Sequence, residues 1–385
     1  MTPRRSTALL FALSTLVSVL GAGPLPDAAG IEAAVTRAMQ RTGAKGLAIA
    51  VIDQGEIRHL SAHGVRNEKG EPLQTDTVMY GASLTKTVLA YVALQLVDQG
   101  ALELDKPIAH YLPKPLYLYE SEPKYADWAP LKDDPRWERI TPRIVLTHST
   151  GFANFGFLEP DRRLRIHFDP GTRYAYSGDG IQLLQFAIEK GLGLDVGSLT
   201  QRQFDRLGMK RTSLVWRAHF AGNLADGWNA RGETEPHDER SSVRAAGSMD
   251  TTIADFARFA AALLQGDGLS ASSRRELSRP QLSITTARQF PTLAPELPQA
   301  QRRKDLAAGL GVIVFSGPQG PGFYKGGHSD TTANTLVCLE ESKRAVLILS
   351  NDVRAESAFG ELVQFILGVT GVPYEWEYGE FASGS

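Results

Sequence analysis

The chain has 385 residues, of which 42% are hydrophobic and 22% are charged. This composition is that of a soluble globular protein and excludes a disordered, fibrous or multi-span membrane protein. The 41 Lys and Arg nearly balance the 43 Asp and Glu, so nothing attracts the whole chain to phosphate and we expect no nucleic-acid partner. The lone cysteine, Cys338, excludes an intramolecular disulfide and a cysteine-based zinc cluster. Its apolar neighbours predict a buried hydrophobic residue rather than a catalytic thiol.

Residues 1–29 have the layout of a secretory signal peptide. Arg4 and Arg5 precede an apolar stretch over 8–20, and small residues follow it. The stretch is too short for a comfortable membrane span, and it is not followed by a cysteine that could carry a lipid. We therefore expect an exported, bacterial periplasmic or secreted protein without a stable membrane anchor after signal removal, with the cleavage site undecided between 21 and 29.

The predicted elements after the signal form one domain over residues 30–378. A first helix over 31–40 precedes a hairpin over 46–66, and helical patterns dominate from 83 to 264. Three strand-like runs and a closing helix follow, at 309–315, 334–339, 345–349 and 356–367. The pattern predicts an α/β (α+β) fold, with one antiparallel sheet built from both chain ends and an inserted, mainly helical lobe. The sheet lobe is expected at about 30–78 and 300–378 and the helical lobe at about 79–299.

The strongest chemical signal is Ser83-Leu84-Thr85-Lys86. The helix that opens here is apolar nearly all round, so we expect it to be buried. The i, i+3 spacing places Ser83 and Lys86 on one face, and a lysine in low dielectric can accept the proton of a serine hydroxyl. The alternative is a serine that caps a helix, followed by a solvated lysine.

Four segments in the same order resemble the penicillin-binding protein and class C β-lactamase superfamily of serine hydrolases. Residues 79–113 are similar to the opening of its helical lobe, and 140–152 (ITPRIVLTHSTGF) to its Leu-Thr-His-Thr-Ser-Gly-Leu segment. Residues 170–185 (PGTRYAYSGDGIQLLQ) resemble its second catalytic motif, and 245–264 its Gly-Gly-hydrophobic helix start. The resemblance covers roughly residues 31–370 and implies a β-lactamase/transpeptidase-like fold and a serine acyl-enzyme.

The second motif of the family, Tyr-x-Asn, matches Tyr176-Ser177-Gly178. The resemblance implies that Tyr176 faces the serine and shares its proton with Lys86, and either group could be the acceptor. Gly178 departs from the pattern, because it removes an amide that would orient the lysine and hold a substrate carbonyl. The structural alternative for Tyr176 is a core aromatic residue.

The third motif of the family, Lys-Thr-Gly or His-x-Gly, is expected within residues 325–331 (KGGHSDT). The resemblance implies that His328 takes the Lys or His place and Asp330 the Gly place. The N–H of Thr331 would then be an oxyanion donor beside that of Ser83. His328 as a structural hydrogen bonder, and Lys325 as a substrate-facing or solvated residue, stay open. The predicted oxyanion and substrate-binding residues are Ser83, His328, Ser329, Asp330 and Thr331.

These residues predict a serine hydrolase with catalytic Ser83, Lys86 and Tyr176, acting on an ester, a D-amino-acid amide or a β-lactam. The substrate is expected to be a small molecule or a peptide, including one derived from peptidoglycan. The carboxylate of Asp330 would repel penicillins and free peptide carboxylates, and this favours an esterase or peptidase over an efficient β-lactamase. The alternative is a non-catalytic module that binds β-lactams or peptidoglycan. The scattered histidines predict no metal site, and we expect no cofactor.

Overall fold

A computed structural model of the chain describes residues 23–379 and has a mixed α/β architecture. The α-helices of this part are α1 (Ala28–Thr42), α2 (Thr85–Asp98), α3 (Pro142–Leu146), α4 (Gly178–Phe186), α5 (Val196–Arg206), α6 (Ile253–Gln265), α7 (Ala271–Ser278), α8 (Phe359–Leu367) and α9 (Tyr374–Tyr378). The strands are β1 (Gly46–Asp53), β2 (Glu56–Gly64), β3 (Met79–Tyr80), β4 (Gly227–Trp228), β5 (Thr234–Glu235), β6 (Asp250–Thr251), β7 (Leu282–Ser283), β8 (Leu306–Ala308), β9 (Ile313–Gly317), β10 (Gly320–Ser329), β11 (Thr332–Leu339) and β12 (Arg344–Ser350).

Strands from the two ends of the chain meet in one eight-stranded antiparallel sheet, in the order β2-β1-β12-β11-β10-β9-β8-β7. The first hairpin joins the last strand, with Leu47 opposite Ser350. The predicted antiparallel sheet from both chain ends is therefore confirmed. Its outermost strand, β7, comes from residues that the sequence assigned to the helical lobe.

The run over 309–315 is not one strand, as the sequence predicted. It is interrupted between β8 and β9 because Gly311 has φ +73° and the Gly309 N–H bonds back to the carbonyl of Val312 at 3.0 Å. The Gly311 N–H donates instead to the carbonyl of Leu146 at 2.8 Å. This turn ties the sheet to the helical region beside α2. The predicted helix over 356–367 also starts differently, because a 3-10 turn over 353–358 precedes α8.

Both faces of the sheet are covered, which explains why its central strands are apolar at nearly every position. On β12, Leu347 and Leu349 face one hydrophobic core, while Val346 and Ile348 face another. Helix α6 packs on β1 and β12 from the first side, and α8 packs on β12 from the second. Cys338 is buried, as the sequence predicted.

The proline-rich segment over 113–142 is ordered by its aromatic residues. It forms short 3-10 turns rather than a helix, and Trp128 and Trp137 are buried in the core of the helical region. The ring of Trp128 packs edge-on against Phe186 of α4, with 5.7 Å between the centroids. The segment forms part of the helical region rather than a linker.

The predicted signal segment lies largely on residues 1–22, outside the described residues, and stays a prediction. Helix α1 begins at Ala28, and the side chain of Asp27 caps it by accepting a hydrogen bond from the Gly30 N–H at 2.8 Å. Between residues 23 and 379, no helix is both long and apolar enough to cross a membrane.

Candidate active site

Ser83 lies in a single 3-10 turn, Ala82–Leu84, directly before α2. The turn is strained because Ala82 has φ +46°, a conformation that residues with a side chain seldom adopt. The Thr85 hydroxyl stabilises it by donating to the carbonyl of Ala82 at 2.5 Å. The helix N-cap is Leu84, which makes no side-chain capping bond. Ser83 therefore does not act as a capping serine.

Lys86 is buried on the first turn of α2, with 1% of its surface exposed. Its Nζ lies 3.0 Å from Ser83 Oγ and donates to the carbonyl of Ala246 at 2.5 Å. Burial, and then the nearby charge of Lys325, hold the pKa of this amine well below its usual range. A neutral amine has a lone pair for the serine proton. The solvated lysine of the structural alternative is excluded.

Tyr176 approaches the same serine from the loop before α4. Its phenol donates to Ser83 Oγ at 2.8 Å, and burial raises its pKa well above the usual range. The ring lies between two lysines, with Lys86 Nζ 4.9 Å and Lys325 Nζ 5.1 Å from its centroid. The phenol therefore stays protonated, and of the two groups on Ser83 the amine of Lys86 is the better proton acceptor.

His148 supports this tyrosine rather than joining a triad. Its ring stacks on Tyr176 at 4.4 Å between centroids, and its Nδ1 accepts from the Ser177 N–H at 3.1 Å. Burial, and then the charges of Lys86 and Lys325, hold the pKa of the imidazole well below its usual range. The ring is neutral and positions the loop that carries Tyr176.

The third motif lies on β10, where alternate side chains point to opposite faces of the sheet. Lys325 points toward Tyr176 and is buried. His328 has the opposite parity, and its Nδ1 lies 3.0 Å from Glu356 Oε1. Burial lowers the pKa of His328, but the bond to Glu356 and the charge of that carboxylate outweigh it and leave the pKa raised. Lys325, not His328, therefore shares a strand face with Gly327 and approaches Tyr176.

Gly327 lies directly against the turn that carries Ser83. A Cβ at this position would be 2.9 Å from the carbonyl oxygen of Gly81 and 3.3 Å from the Leu84 nitrogen. This close approach requires glycine. The first backbone N–H after Gly327 is that of His328, so the chain's oxyanion donor is expected there rather than at residue 331.

The structure does not bring Ser329, Asp330 and Thr331 into the cavity with Ser83. They form the tight turn between β10 and β11, where Ser329 pairs with Thr332. Asp330 is exposed, and the side chain of Thr331 packs against Gly227. A strand advances about 3.3 Å per residue. Asp330, three residues after Gly327, therefore lies roughly 10 Å further along the direction of β10.

A cavity of about 1520 Å³ opens between the sheet and the helical region. Ser83, Lys86, Tyr176, Lys325 and His328 all line it, so the structure brings together the three predicted catalytic side chains. The part of the chain described here contains no cluster of three or more His, Cys, Asp or Glu side chains suited to a metal ion.

One wall of the cavity is apolar next to Gly178, the position where the family motif has an asparagine. The ring of Phe155 fills the space that a side chain at 178 would occupy. Phe155 stacks on Phe157 at 5.1 Å, and Phe157 is 58% exposed at the cavity rim. The Gly178 N–H donates to Asn154 Oδ1 at 3.0 Å. Asn154 thus brings an amide to the cavity next to the position where the family motif has one.

Sequence reasoning missed a carboxylate that enters the cavity from the C-terminal helix α9. Glu377 lines the cavity, and its Oε1 occupies the space beside Gly326 on β10. Burial raises the pKa of Glu377 to about 7, partly offset by the charge of Lys325. Burial lowers the pKa of Lys325 to about 8, and Glu377 opposes that shift. No local pattern could have placed Glu377 here, because its position depends on the packing of α9.

Comparison with known proteins agrees with this geometry. A lovastatin esterase of Penicillium rubens is 29% identical over 201 residues, which is 45% of this chain and 50% of that protein. Esterase EstB of Burkholderia gladioli is 31% identical over 169 residues, which is 43% of this chain and 37% of that protein. The matches therefore span half or less of the length of these two curated relatives.

Solved structures give the same fold. The D-alanine carboxypeptidase AmpC from Burkholderia cenocepacia superposes with a TM-score of 0.68 at 19% identity, over 88% of this chain and 98% of that chain. The family model described as beta-lactamase matches residues 31–368. The resemblance in the motifs is confirmed, and the chain belongs to the beta-lactamase family of serine hydrolases.

Proposed function

We propose that the chain is an exported serine hydrolase that cleaves carboxylic esters through an acyl-enzyme on Ser83. The observation that carries this proposal is the pair of contacts on Ser83 Oγ, 3.0 Å to Lys86 Nζ and 2.8 Å to the Tyr176 hydroxyl. A single oxygen between a neutral amine and a phenol is arranged for proton transfer in both directions.

The contacts support a definite order of proton transfers. Ser83 Oγ attacks the ester carbonyl carbon while its proton passes to Nζ of Lys86. The departing alkoxide takes a proton from the phenol of Tyr176, which regains one from the Lys86 ammonium. Water then attacks the acyl carbon and loses its proton by the same route. The bond from Oγ to the acyl group breaks, Oγ is reprotonated, and the carboxylic acid leaves.

The developing oxyanion requires preorganised donors. The backbone N–H groups of Ser83 and His328 are our candidates, because Gly327 packs against the turn that carries Ser83. This replaces Thr331 as the expected donor. The imidazole of His328 is directed toward Glu356 and has no part in the proposed chemistry.

The cavity wall favours an ester with an apolar acyl or alcohol group. Phe155 takes the space of the missing amide at Gly178, and Phe157 and Phe290 present exposed rings at the same cavity. Apolar surface of this kind stabilises a bound hydrocarbon group by about 25 cal/mol per Å² buried. The two curated relatives named as esterases support the same substrate class.

Labelling with a fluorophosphonate probe, read by intact mass, tests the nucleophile directly. We expect one adduct on the wild type and none on Ser83→Ala, with Ser149→Ala as the matched control that keeps the label. A panel of para-nitrophenyl esters, a D-alanyl peptide and a β-lactam then ranks the substrates, and we expect the esters first. Labelling without turnover of any substrate would favour the non-catalytic binding module, and labelling of Ser83→Ala would place the nucleophile elsewhere.

Export is proposed from the sequence of residues 1–29 alone. Expression of the full chain in a bacterium, followed by fractionation and N-terminal mass determination, tests it. We expect a periplasmic or secreted product that begins between residues 22 and 30. A cytoplasmic product that retains Met1 would contradict export without affecting the proposed chemistry.

A further inference from the structure

The C-terminal helix α9 holds a carboxylate inside the candidate active site. Trp376 fixes this helix, because its indole N–H donates to Thr286 Oγ1 at 3.2 Å and its carbonyl accepts from the Gln289 N–H at 2.8 Å. Trp376 itself is buried. Glu377 follows directly, so its carboxylate has a defined position at the cavity.

The carboxylate lies directly against Gly326. Any side chain at 326 would occupy the space of Glu377 Oε1, so Gly326 and Glu377 form one complementary pair. The Oε2 atom of Glu377 is buried and, among residues 23–379, has no donor in good hydrogen-bond geometry, and the nearby side chains of Tyr324 and Gln289 offset only part of the effect of burial on its pKa. A buried carboxylate oxygen without a donor is costly, which makes a nearby positive charge its natural counterpart.

That charge belongs to Lys325, the residue next to Gly326. Its Nζ donates to the carbonyl of Gly326 at 2.8 Å and lies over the ring of Tyr176, at 5.1 Å from the centroid. A buried ammonium beside the reactive serine would attract a carboxylate on a substrate. Here the carboxylate of Glu377 already supplies the opposite charge.

We propose that Glu377 is a specificity-determining residue, which cancels the positive charge of Lys325 and so excludes carboxylate-bearing substrates in favour of uncharged esters. The inference rests on the proposed function and adds the substrate charge to it. It also assigns charge selection to a residue at the end of the chain instead of to Asp330, which lies outside the cavity. Glu377 selects substrates, whereas Ser83, Lys86 and Tyr176 carry out the chemistry.

The test compares matched pairs of para-nitrophenyl esters, namely the butyrate and the hemisuccinate, which differ by a terminal carboxylate. A second pair places the carboxylate on the alcohol portion instead. For Glu377→Gln we expect the ratio of kcat/KM for the anionic ester to that for the neutral ester to rise about tenfold in at least one pair, equivalent to about 1.4 kcal/mol. Adding Lys325→Met to this variant should reverse the rise. Glu68→Gln, at an exposed position that does not line the cavity, should leave the ratio at the wild-type value.

A Glu377→Gln variant that hydrolyses the neutral esters with an unchanged ratio in both pairs would overturn the proposal and leave the esterase function intact. If that variant does not fold, Glu377→Ala, which also removes the carboxylate but leaves a smaller side chain, takes its place. The ratio should rise in the same way, and an unchanged or decreased ratio overturns the proposal. A wild type that hydrolyses no ester and takes no label at Ser83 overturns the proposed function together with this inference.

Discussion

The hydroxyl of Tyr176 donates a hydrogen bond of 2.8 Å to Ser83 Oγ, across 93 positions of sequence. The Lys86 amine contacts the same oxygen at 3.0 Å. In the proposed mechanism this amine is neutral, and its lone pair accepts the serine proton. The three groups thus form one hydrogen-bonded chain from phenol to hydroxyl to amine. The sequence left the acceptor open between Lys86 and Tyr176, and we propose Lys86, because burial depresses the pKa of its amine and raises that of the phenol.

The first prediction is that Lys86 and Tyr176 act as a unit. Lys86→Met and Tyr176→Phe should each lower kcat by about two to four orders of magnitude, as expected for loss of general acid–base catalysis. The double variant should lose little more than the worse single variant, because groups on one proton path are strongly non-additive. Steady-state kinetics on a neutral ester provides the measurement. Losses that multiply in the double variant would contradict a shared path.

The second prediction concerns the acidic limb of the pH profile. Burial, and then the charge of Lys325, depress the pKa of Lys86, and the proposed mechanism requires this amine to be neutral. Removal of the neighbouring charge in Lys325→Met raises the pKa of Lys86. The acidic limb of kcat/KM should therefore move to higher pH.

A pH series on a neutral ester measures this shift, and Lys132→Met, at an exposed position, is the matched control. The limb should stay in place in the control. A limb that stays in place in Lys325→Met as well, or moves to lower pH, would show that Lys86 does not determine it.

The fold and the nucleophile could be predicted because their signals are local. The apolar runs of β1, β11 and β12 predict buried strands without any knowledge of the tertiary structure. A helix that is apolar nearly all round but carries a lysine on its first turn is unusual, and this singles out Lys86. Tyr176 was predicted from its motif, and the structure places its hydroxyl 2.8 Å from Ser83 Oγ.

The charge pattern of the cavity could not be predicted in the same way. The strand parity of β10 decides whether Lys325 or His328 faces Tyr176. The sequence analysis expected the motif at 328–330, whereas the contacts of Lys325 and Gly327 favour 325–327. The spacing of Lys325 and Gly327 was the available signal, because residues two apart share a strand face. Glu377 had no signal at all, since α9 reaches the cavity only through the packing of Trp376 against the loop at 286–289.

The third prediction is a pH-dependent loss of stability from Asp179, which lines the cavity and accepts from the Gly156 N–H at 2.6 Å. Burial raises the pKa of this carboxyl to about 6, only partly offset by the bond from Gly156. The folded protein therefore holds this proton more tightly than the unfolded chain. The stability that the protonated Asp179 carboxyl contributes is fully present below about pH 4 and is lost as the pH rises through about 6.

Asp179→Asn keeps an acceptor for the Gly156 N–H but has no charge to bury. Between about pH 4 and pH 7 the free energy of unfolding of the wild type should fall relative to that of the variant by roughly 1–3 kcal/mol. Urea denaturation at both ends of this range provides the measurement. Asp133→Asn, at an exposed position, serves as the control and should show no such difference. A stability difference between variant and wild type that is the same at both pH values would mean that folding does not change the pKa of Asp179, and would contradict the prediction.

The fourth prediction is that Phe155, not the backbone, prevents the family's asparagine at position 178. A side chain at 178 collides with the ring of Phe155, and overpacking of this kind costs about 1–3 kcal/mol. Gly178→Asn should therefore lower the free energy of unfolding by that amount. Adding Phe155→Ala should recover most of the loss, because the asparagine then occupies the volume that the ring leaves.

The matched control is Phe157→Ala, which removes the neighbouring ring of the stacked pair but no atom near Gly178. It should not rescue Gly178→Asn. A double-mutant cycle measured by urea denaturation isolates the coupling, which we expect to be about 1 kcal/mol or more for the pair at 155 and 178 and near zero for the pair at 157 and 178. If Gly178→Asn is as stable as the wild type, or if both alanine variants rescue it equally, then Phe155 is not the obstacle. The apolar wall would then have arisen for a reason other than the missing amide, and the preference for apolar esters would depend on Phe157 and Phe290 alone.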